Sequence, residues 1–320
     1  MTDTIAVSAA DLSFSYGERL ALQGVAFDVP VGKVHGFLGP NGSGKSTLFK
    51  LLSTLVPLQR GRVSLLGLDL ATQAAAIRAR LGVVFQSPAV DKKLTVRENL
   101  HYGGLLLGLS GRELALRIDA MLAAANLADR ARDRVEELSG GLRRRVELAK
   151  CLLGKPELVL LDEASTGLDP AARRDMWAVL RAQTGITVLF TTHLMDEAAE
   201  ADGLTLLDQG QIVAAGRPAD LMREVGGQVL EIEAERPEQM LGELQQSLAV
   251  TAKLVEGTLR IEGDTVHELV PQVMQRFGER IQRLQLAHPS LQDVFLHKTG
   301  KRFVVTEPDA APRKGRRKRS

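Results

Sequence analysis

A glycine-rich segment early in the chain has the residue types and the spacing needed to bind phosphate. It fits the pattern G-x-x-x-x-G-K-[ST] and consists, with the residue that follows, of Gly39, Pro40, Asn41, Gly42, Ser43, Gly44, Lys45, Ser46 and Thr47. Glycines let backbone N–H groups turn toward phosphate oxygens, and the start of a helix adds the positive end of its dipole. Lys45 can then reach the β- and γ-phosphates, and the Ser46 hydroxyl can ligate Mg²⁺. A glycine-rich turn that binds nothing is disfavoured, because every fixed position of the pattern matches.

The residues on either side of this loop predict the elements that would position it. Val34 to Leu38 form a short apolar run of the kind found in a strand. After the loop, Leu48, Leu51, Leu52 and Leu55 recur at the spacing of one helix face. A strand, a glycine-rich turn and a helix in this order are the context that a phosphate loop requires.

A second candidate group is a pair of carboxylates after the apolar run 158–161. Asp162 and Glu163 follow this run directly. Continuous apolar runs favour strands of a parallel sheet, and ligands collect at the carboxyl ends of such strands. Asp162 would help to hold Mg²⁺, while Glu163 would accept the proton of an attacking water or position that water. Without a phosphate loop nearby, an acidic pair that caps a helix would be the simpler interpretation.

Two further polar residues follow predicted strands. His193 comes after the run 187–192, where it could touch the γ-phosphate and orient the water. Gln86 ends the run 81–85, and its side-chain amide could bridge a metal ion or a water to the elements that follow. For each residue, a structural role at the end of a strand is the alternative.

Ser139, Gly140 and Gly141 open another predicted helix and form a second candidate anion-binding helix start. The phosphate loop of this chain already accounts for one nucleotide. A second anion site of this kind therefore suggests that nucleotide is held between two copies of the chain.

Taken in order along the chain, these segments resemble the motifs of the ABC ATPases. Residues 139–141 are similar to the family signature, and Asp162 and Glu163 to its Walker B pair. Gln86 is similar to the Q-loop residue, and His193 to the switch histidine. The resemblance covers about residues 5–225 and implies ATP as the nucleotide and Mg²⁺ as the metal.

The same resemblance assigns two more residues. Tyr16 is similar to the aromatic residue that stacks on adenine, and Asp169 belongs to a segment similar to the D-loop. There are also departures from the family pattern. Leu142 stands where the signature has glutamine, Ala164 where proline is usual, and Ser165 where threonine is usual.

Two segments, 142–145 and 289–300, resemble the antibiotic-export branch of the family, of the daunorubicin-resistance type. This resemblance implies an ATPase that works as a dimer of two copies on the cytoplasmic face of the membrane. It would energise export of a drug, lipid or polysaccharide through an integral membrane permease on a separate chain.

The fold class expected is α/β, a P-loop NTPase of the ABC ATPase type with a mixed sheet. We expect this domain over residues 1–225, with a helical subdomain at about 87–153 in which residues 94–153 are almost wholly helical. Beyond it, residues 226–300 have the order β-α-β-β-α-β, which predicts a small ferredoxin-like α+β accessory domain.

Composition limits where the chain can act. Cys151 is the one cysteine, so an intramolecular disulfide is excluded, which fits a reducing compartment. We find no signal peptide and no run of about 18 uncharged apolar residues that could cross a bilayer. A membrane process would therefore need another chain for the crossing.

The end of the chain, residues 301–320, is basic and has a net charge of +6. It lacks apolar periodicity and is expected to be a disordered, solvated tail. Its basic residues could contact anionic lipid or RNA.

The main alternative function is a non-transport ABC ATPase that acts on ribosomes or nucleic acid. It is disfavoured because the chain has one cassette and no long heptad repeat between 87 and 138. Nucleic acid is therefore not the partner expected. An inactive, regulatory ATPase is a third alternative, and the intact Lys45, Asp162, Glu163 and His193 argue against it.

Overall fold

The computed structural model describes residues 4–248 and 250–303. Within them the chain forms one six-stranded sheet and two four-stranded sheets, with helices packed around them. The predicted disordered tail falls mostly on residues 304–320, which lie outside the described part. Among the described helices, none is both long enough and apolar enough to span a bilayer.

The six-stranded sheet lies at the centre of the ATPase part. In spatial order its strands are β10 (Gln211–Gly216), β9 (Gly203–Asp208), β3 (Val34–Leu38), β8 (Thr187–Thr192), β7 (Leu158–Asp162) and β6 (Leu81–Val84). All neighbouring pairs are parallel except β10 with β9. Both β7 and β8 are buried along their whole length, as continuous apolar runs predict. The carboxyl ends of β3, β6, β7 and β8 therefore meet at one edge of the sheet.

A second, antiparallel sheet packs against the central six-stranded sheet. Its strands are β2 (Arg19–Pro30), β1 (Ile5–Tyr16), β4 (Arg60–Leu65) and β5 (Leu68–Asp69), in that spatial order. Helices α1 (Lys45–Leu52) and α2 (Ala74–Arg80) belong to the same part. One apolar cluster joins the sheet to α1 and the central strands and includes Leu12, Val29, Phe37 and Phe49. This core fixes the helix that follows the phosphate loop.

Three helices form the predicted helical subdomain: α3 (Val96–Leu106), α4 (Gly111–Ala124) and α5 (Gly140–Leu152). They have their own apolar core, which includes Val96, Leu114, Leu127 and Val146. The expectation that residues 94–153 are almost wholly helical was too broad. The chain leaves the helix at 107–110 and again at 125–139, where two short 3₁₀ turns replace it.

The ATPase part continues with α6 (Pro170–Arg181), α7 (Met195–Ala199) and α8 (Pro218–Arg223). After α8 comes the third sheet, with the order β12 (Ala252–Val255), β13 (Thr258–Gly263), β11 (Gln228–Ala234) and β14 (Ile281–Ala287). All its neighbouring strands are antiparallel. Helices α9 (Pro237–Leu248) and α10 (Leu269–Phe277) contribute to one apolar core with this sheet. The β-α-β-β-α-β order predicted for a ferredoxin-like unit is confirmed.

The last helix in the described part of the chain, α11 (Leu291–Thr299), joins the two parts. Its Leu291, Val294 and Phe295 are buried in one cluster with Leu38 and Leu204 of the central sheet. Leu38 is the residue before the phosphate loop. The C-terminal part therefore shares a core with the strand that leads to this loop, and the division of the chain near residue 225 stays a prediction.

Replacing Leu291 tests this shared core. Leu291 is 2% exposed, so Leu291→Ala is expected to lower the free energy of unfolding by about 3 kcal/mol, through lost burial and the cavity left behind. Leu106 is 86% exposed, and the matched change Leu106→Ala should alter stability by less than about 0.5 kcal/mol. Urea denaturation measures both, and equal losses would contradict a shared core at α11.

A buried histidine at the start of β3 predicts a pH dependence of stability. His35 accepts or donates a hydrogen bond with Thr205 Oγ1 at 2.9 Å, and burial lowers its pKa from 6.5 to about 4. As the pH falls, His35 is protonated in the unfolded chain before it is protonated in the folded one. The folded state therefore keeps its full stability above pH 6.5 and loses stability through His35 as the pH falls toward 4.

The wild type should therefore lose about 2 kcal/mol through His35 between pH 7.5 and pH 5. His35→Gln should show a correspondingly smaller loss of unfolding free energy across this interval in denaturation measured at each pH. A variant that keeps the wild-type slope would show that His35 is not the group responsible.

Candidate nucleotide site

The predicted phosphate loop connects β3 to α1 in the structure. Gly42 and Gly44 have positive φ angles of 81° and 106°, which only glycine adopts readily. A Cβ atom on Gly44 would also lie 2.7 Å from the carbonyl oxygen of Ala21. Gly44 occupies the N-cap of α1 and provides no capping side chain, so the first N–H groups of α1 are left for a ligand. This is the backbone arrangement that anions bind.

Lys45 lies inside this loop and is only 4% exposed. Its Nζ donates to the carbonyl oxygens of Gly39 at 2.7 Å and Pro40 at 3.0 Å. It also lies 3.8 Å from Glu163 Oε1. Burial lowers the pKa of Lys45, and the charges of Glu163 and Asp162 oppose this shift. The loop thus holds a cation beside the place where phosphates would lie.

Asp162 at the end of β7 is tied to two hydroxyl groups. Thr191 Oγ1 donates to Asp162 Oδ1 at 2.7 Å, and Ser46 Oγ donates to the same oxygen at 3.4 Å. Burial raises the pKa of Asp162, and the bond from Thr191 counteracts this. Thr191 also accepts a hydrogen bond from the backbone N–H of Glu163 at 2.8 Å. Sequence reasoning did not single out Thr191, although a threonine pair at the end of an apolar strand was a usable signal.

Glu163 is the meeting point of the predicted catalytic residues. Its Oε2 accepts from Gln86 Nε2 at 3.1 Å, and its Oε1 lies 3.9 Å from His193 Nδ1. His193 Nδ1 is buried and has no hydrogen-bond partner among the described residues. Glu163 has a φ of 47°, in the left-handed region that costs a residue with a side chain roughly 1–2 kcal/mol. The strained backbone thus lies at the point where the side chains of Gln86, Lys45 and His193 approach Glu163.

A cleft of about 200 Å³ opens beside the phosphate loop. Its lining includes Tyr16, Asn41, Thr47 and Glu163. Tyr16 is 46% exposed, and its ring packs edge to face on Phe14 with ring centroids 4.9 Å apart. The predicted adenine-stacking residue therefore borders the same cleft as the phosphate loop. Arg19 also lines it, and sequence reasoning missed this residue.

The signature segment lies elsewhere on the surface. Ser139 caps α5 through its side chain, which accepts from the Leu142 N–H at 3.4 Å. Ser139 and Gly140 are exposed, and neither lines the cleft beside the phosphate loop. Asp169 caps α6 by accepting from the N–H groups of Ala171 and Ala172, and these bonds lower its pKa. Within one copy, the structure does not bring residues 139–141 to the phosphate loop.

The departures from the family pattern have local explanations. Leu142 is partly buried and packs against the core of the helical subdomain. Ala164 is 3% exposed and belongs to the core around β7 and β8. Ser165 donates to the buried carboxylate of Glu197 at 2.8 Å. Each replacement thus makes contacts inside the fold.

The site has suitable donors for a hard divalent cation. The Ser46 hydroxyl and the Asp162 carboxylate lie together, and Mg²⁺ prefers such oxygen ligands along with nucleotide phosphates. The described residues contain no group of three or more His, Cys, Asp or Glu side chains able to hold a metal ion alone.

Strand ends, phosphate loop and signature together define an ABC-type ATPase, and comparisons with known proteins agree. Residues 22–166 match the ABC transporter family, and residues 216–299 match the C-terminal domain of DrrA1-3-like ATP-binding proteins. Daunorubicin resistance ATP-binding protein DrrA2 of Streptomyces coeruleorubidus is 40% identical over 97% of this chain and 99% of its own length. Nod factor export ATP-binding protein I of Rhizobium meliloti (strain 1021) is 38% identical over 93% of this chain and 89% of its own.

Solved structures show the same fold. The ATP-binding subunit of an ABC transporter matches with a TM-score of 0.62 and 29% identity, over 68% of this chain and 92% of that one. A bacterial Atm1-family ABC exporter with ATP bound matches with a TM-score of 0.62 and 29% identity, over 71% and 41%.

The chain belongs to the ATP-binding proteins of ABC transporters and carries a DrrA-like C-terminal domain. It binds ATP and couples ATP hydrolysis to transport. The predicted fold class and the predicted family are confirmed.

Thr191 gives a direct test of this site. Thr191→Val keeps the shape of the side chain but removes its bonds to Asp162 and to the Glu163 N–H. We expect kcat for ATP hydrolysis to fall at least about tenfold, because the Asp162 carboxylate and the backbone of Glu163 lose their common support. Thr187→Val is the control, since this buried threonine of the same strand bonds to Gly32 N at the opposite edge of the sheet. Equal kcat values for the two variants would contradict the role of Thr191.

Proposed function

We propose that this chain hydrolyses ATP with Mg²⁺ as a dimer of two copies. Hydrolysis would power export of a drug, lipid or polysaccharide through a separate integral membrane permease. The observation that carries the proposal is the surroundings of Glu163, where Gln86, Lys45 and His193 lie within 3.1, 3.8 and 3.9 Å of its carboxylate. A buried carboxylate beside a phosphate loop is suited to position water against a γ-phosphate.

Each residue of the site has a distinct role toward the γ-phosphate of ATP in this proposal. Glu163 accepts the proton of the attacking water, and Gln86 and His193 orient this carboxylate and the water. Lys45 and the loop N–H groups stabilise the negative charge that develops on the phosphate oxygens. Tyr16 stacks on the adenine.

Ser46, Asp162 and Gln86 are the residues that would hold Mg²⁺. The ion would neutralise charge on the β- and γ-phosphates. Thr191 keeps one Asp162 oxygen in place, and Ser46 follows Lys45 directly, so both ligands are fixed by the same elements that fix the loop.

The exposed signature supports a dimer of two copies. Ser139, Gly140 and Gly141 form a helix start, where the first N–H groups have no partner within the helix, but they do not line the cleft of their own copy. A second copy, placed head to tail, would present them to its partner's ATP. Asp169, at the start of α6, would lie at this same junction. Closing the dimer would then complete each site, so that hydrolysis depends on association.

An apolar groove supports docking of a membrane permease. It has a volume of about 240 Å³ and is lined by Val83, Phe85, Leu106 and Leu107 among others. Leu106 is 86% exposed and Leu107 is 50% exposed, which leaves a large apolar surface beside the segment that carries Gln86. Exposed apolar surface of this kind marks interaction sites. The permease would hold the chain at the cytoplasmic face of the membrane.

Export as the direction of transport, and a drug as one class of cargo, are inferred from the relatives. Their names describe resistance to daunorubicin and export of Nod factor. Both are proteins of nearly the same length as this chain and match it almost from end to end.

Glu163→Gln tests the proposed mechanism. This change keeps the size of the side chain but removes the base, so ATP hydrolysis should fall at least about a hundredfold. ATP should still bind, and the variant should form a stable dimer in the presence of ATP and Mg²⁺, seen by light scattering. Glu157→Gln, at an exposed ion pair with Arg80, is the control and should hydrolyse ATP normally. Wild-type hydrolysis by Glu163→Gln would refute the role of Glu163.

The dimer face has its own test in the Glu163→Gln background. A Cβ atom on Gly140 meets nothing within 4 Å, so Gly140→Glu fits within one copy without a clash. Its negative charge would repel the phosphates of a partner's ATP. The ATP-dependent dimer should disappear while the melting temperature stays unchanged. A dimer that persists would show that residues 139–141 do not bind the partner's nucleotide.

A further inference from the structure

Side chains on one face of the signature helix α5 form hydrogen bonds with the backbone of the segment that contains Gln86. Arg144 Nη1 donates to the carbonyl oxygen of Phe85 at 2.8 Å, and its Nη2 donates to that of Gln86 at 3.4 Å. Glu147 Oε1 accepts from the N–H of Ala89 at 3.0 Å. Arg144 and Glu147 are three residues apart and bond to each other at 2.5 Å, so they form one unit.

A third residue of α5, Lys150, lies one helical turn further on and also bonds to this segment. Lys150 Nζ donates to the carbonyl oxygen of Ala89 at 2.8 Å. The segment 85–89 has no regular secondary structure, and Gln86 to Ala89 are exposed. Its backbone groups at both ends are therefore held by side chains of α5.

The charges in this unit are buried. Arg144 is 8% exposed and Glu147 is 6% exposed. A buried ion pair is a costly way to hold a loop, and it is stable only where further hydrogen bonds satisfy both partners. The backbone groups of Phe85, Gln86 and Ala89 provide these bonds. The geometry is thus specific to one position of the segment relative to α5.

Two functional groups lie at the ends of this unit. The Gln86 side chain reaches Glu163 Oε2 at 3.1 Å, while the first residues of α5 are Gly140 and Gly141 of the signature. The path from the signature to Glu163 therefore runs through α5, Arg144 with Glu147, and Gln86. Each step in this path is a direct contact.

We propose that Arg144 and Glu147 are positioning residues that fix Gln86 against Glu163 and make it move with the signature helix. The inference rests on the role proposed above for Gln86. Neither residue touches the reacting atoms, and both act through the backbone of the segment 85–89. Movement of α5, when its signature engages nucleotide on a second copy, would thereby change the position of Gln86 in the copy to which α5 belongs.

The test uses the full-length chain and the paired change Arg144→Met with Glu147→Gln. Removing both charges together leaves no unpaired ion in the interior, and the glutamine oxygen can still accept from Ala89 N–H. The control is Arg97→Met with Asp119→Asn, an exposed ion pair on the surface of the same helical part. Melting temperatures of all variants verify folding before ATP hydrolysis is measured.

We expect the paired change to lower kcat about tenfold, because a small displacement of a catalytic group has a large effect on the rate. The KM for ATP should stay within about twofold of wild type, since the phosphate loop is untouched. In a Gln86→Ala background the same paired change should lower kcat by less than about twofold, because residues that act through one group are not additive. The control pair should leave kcat unchanged in both backgrounds.

Equal losses of kcat in the wild-type and Gln86→Ala backgrounds would overturn the inference, because they would indicate a general structural effect. An unchanged kcat in the paired variant, or a loss accompanied by a raised KM, would overturn it as well. Failure of the proposed function appears separately, as a wild-type kcat in Gln86→Ala alone. That result would remove the role of Gln86 and with it this inference.

Discussion

The buried ion pair of Lys45 with Glu163, beside the carboxylate of Asp162, is the constraint on which the rest of the site depends. All three groups are buried, and burial lowers the pKa of Lys45 and raises that of Asp162. The two carboxylates repel each other, but Lys45 attracts both, and loop carbonyls and Thr191 complete the hydrogen bonds. The parallel sheet makes this possible, since only adjacent carboxyl ends of β3, β7 and β8 bring the groups within reach. The triphosphate of ATP would therefore bind where these charged side chains are already held in position.

Local patterns were sufficient to predict the elements of the site. The phosphate loop, the pair Asp162 and Glu163, and His193 all follow short apolar runs, and each run is a buried strand of the central sheet. The spacing of the motif identifies the phosphate-binding residues themselves, because a loop that binds phosphate needs glycines at fixed positions. The β-α-β-β-α-β order of the ferredoxin-like unit was also predicted correctly.

What local patterns could not predict are the contacts between distant residues. Thr191 supports Asp162 from 29 residues away, and Arg144 holds Phe85 across 59 residues. Periodicity says which face of an element is apolar but not which polar group will meet which. The breaks in the helical subdomain were missed for a related reason. Residues 125–139 are rich in helix-forming types, and their 3₁₀ turns arise where tertiary contacts override that preference.

Helix α6 carries a natural fluorescent reporter that shares a hydrogen-bond partner with the turn after Glu163. The one tryptophan of the chain, Trp177, donates to Glu197 at 2.8 Å, and the same carboxylate accepts from Ser165, two residues beyond Glu163. The indole also packs edge to face on Phe190 of β8, with ring centroids 5.0 Å apart. A shift of that turn changes the polarity around a single indole. The intrinsic fluorescence of the unlabelled protein is therefore an optical signal from beside the reacting centre, with no second emitter of its kind to obscure it.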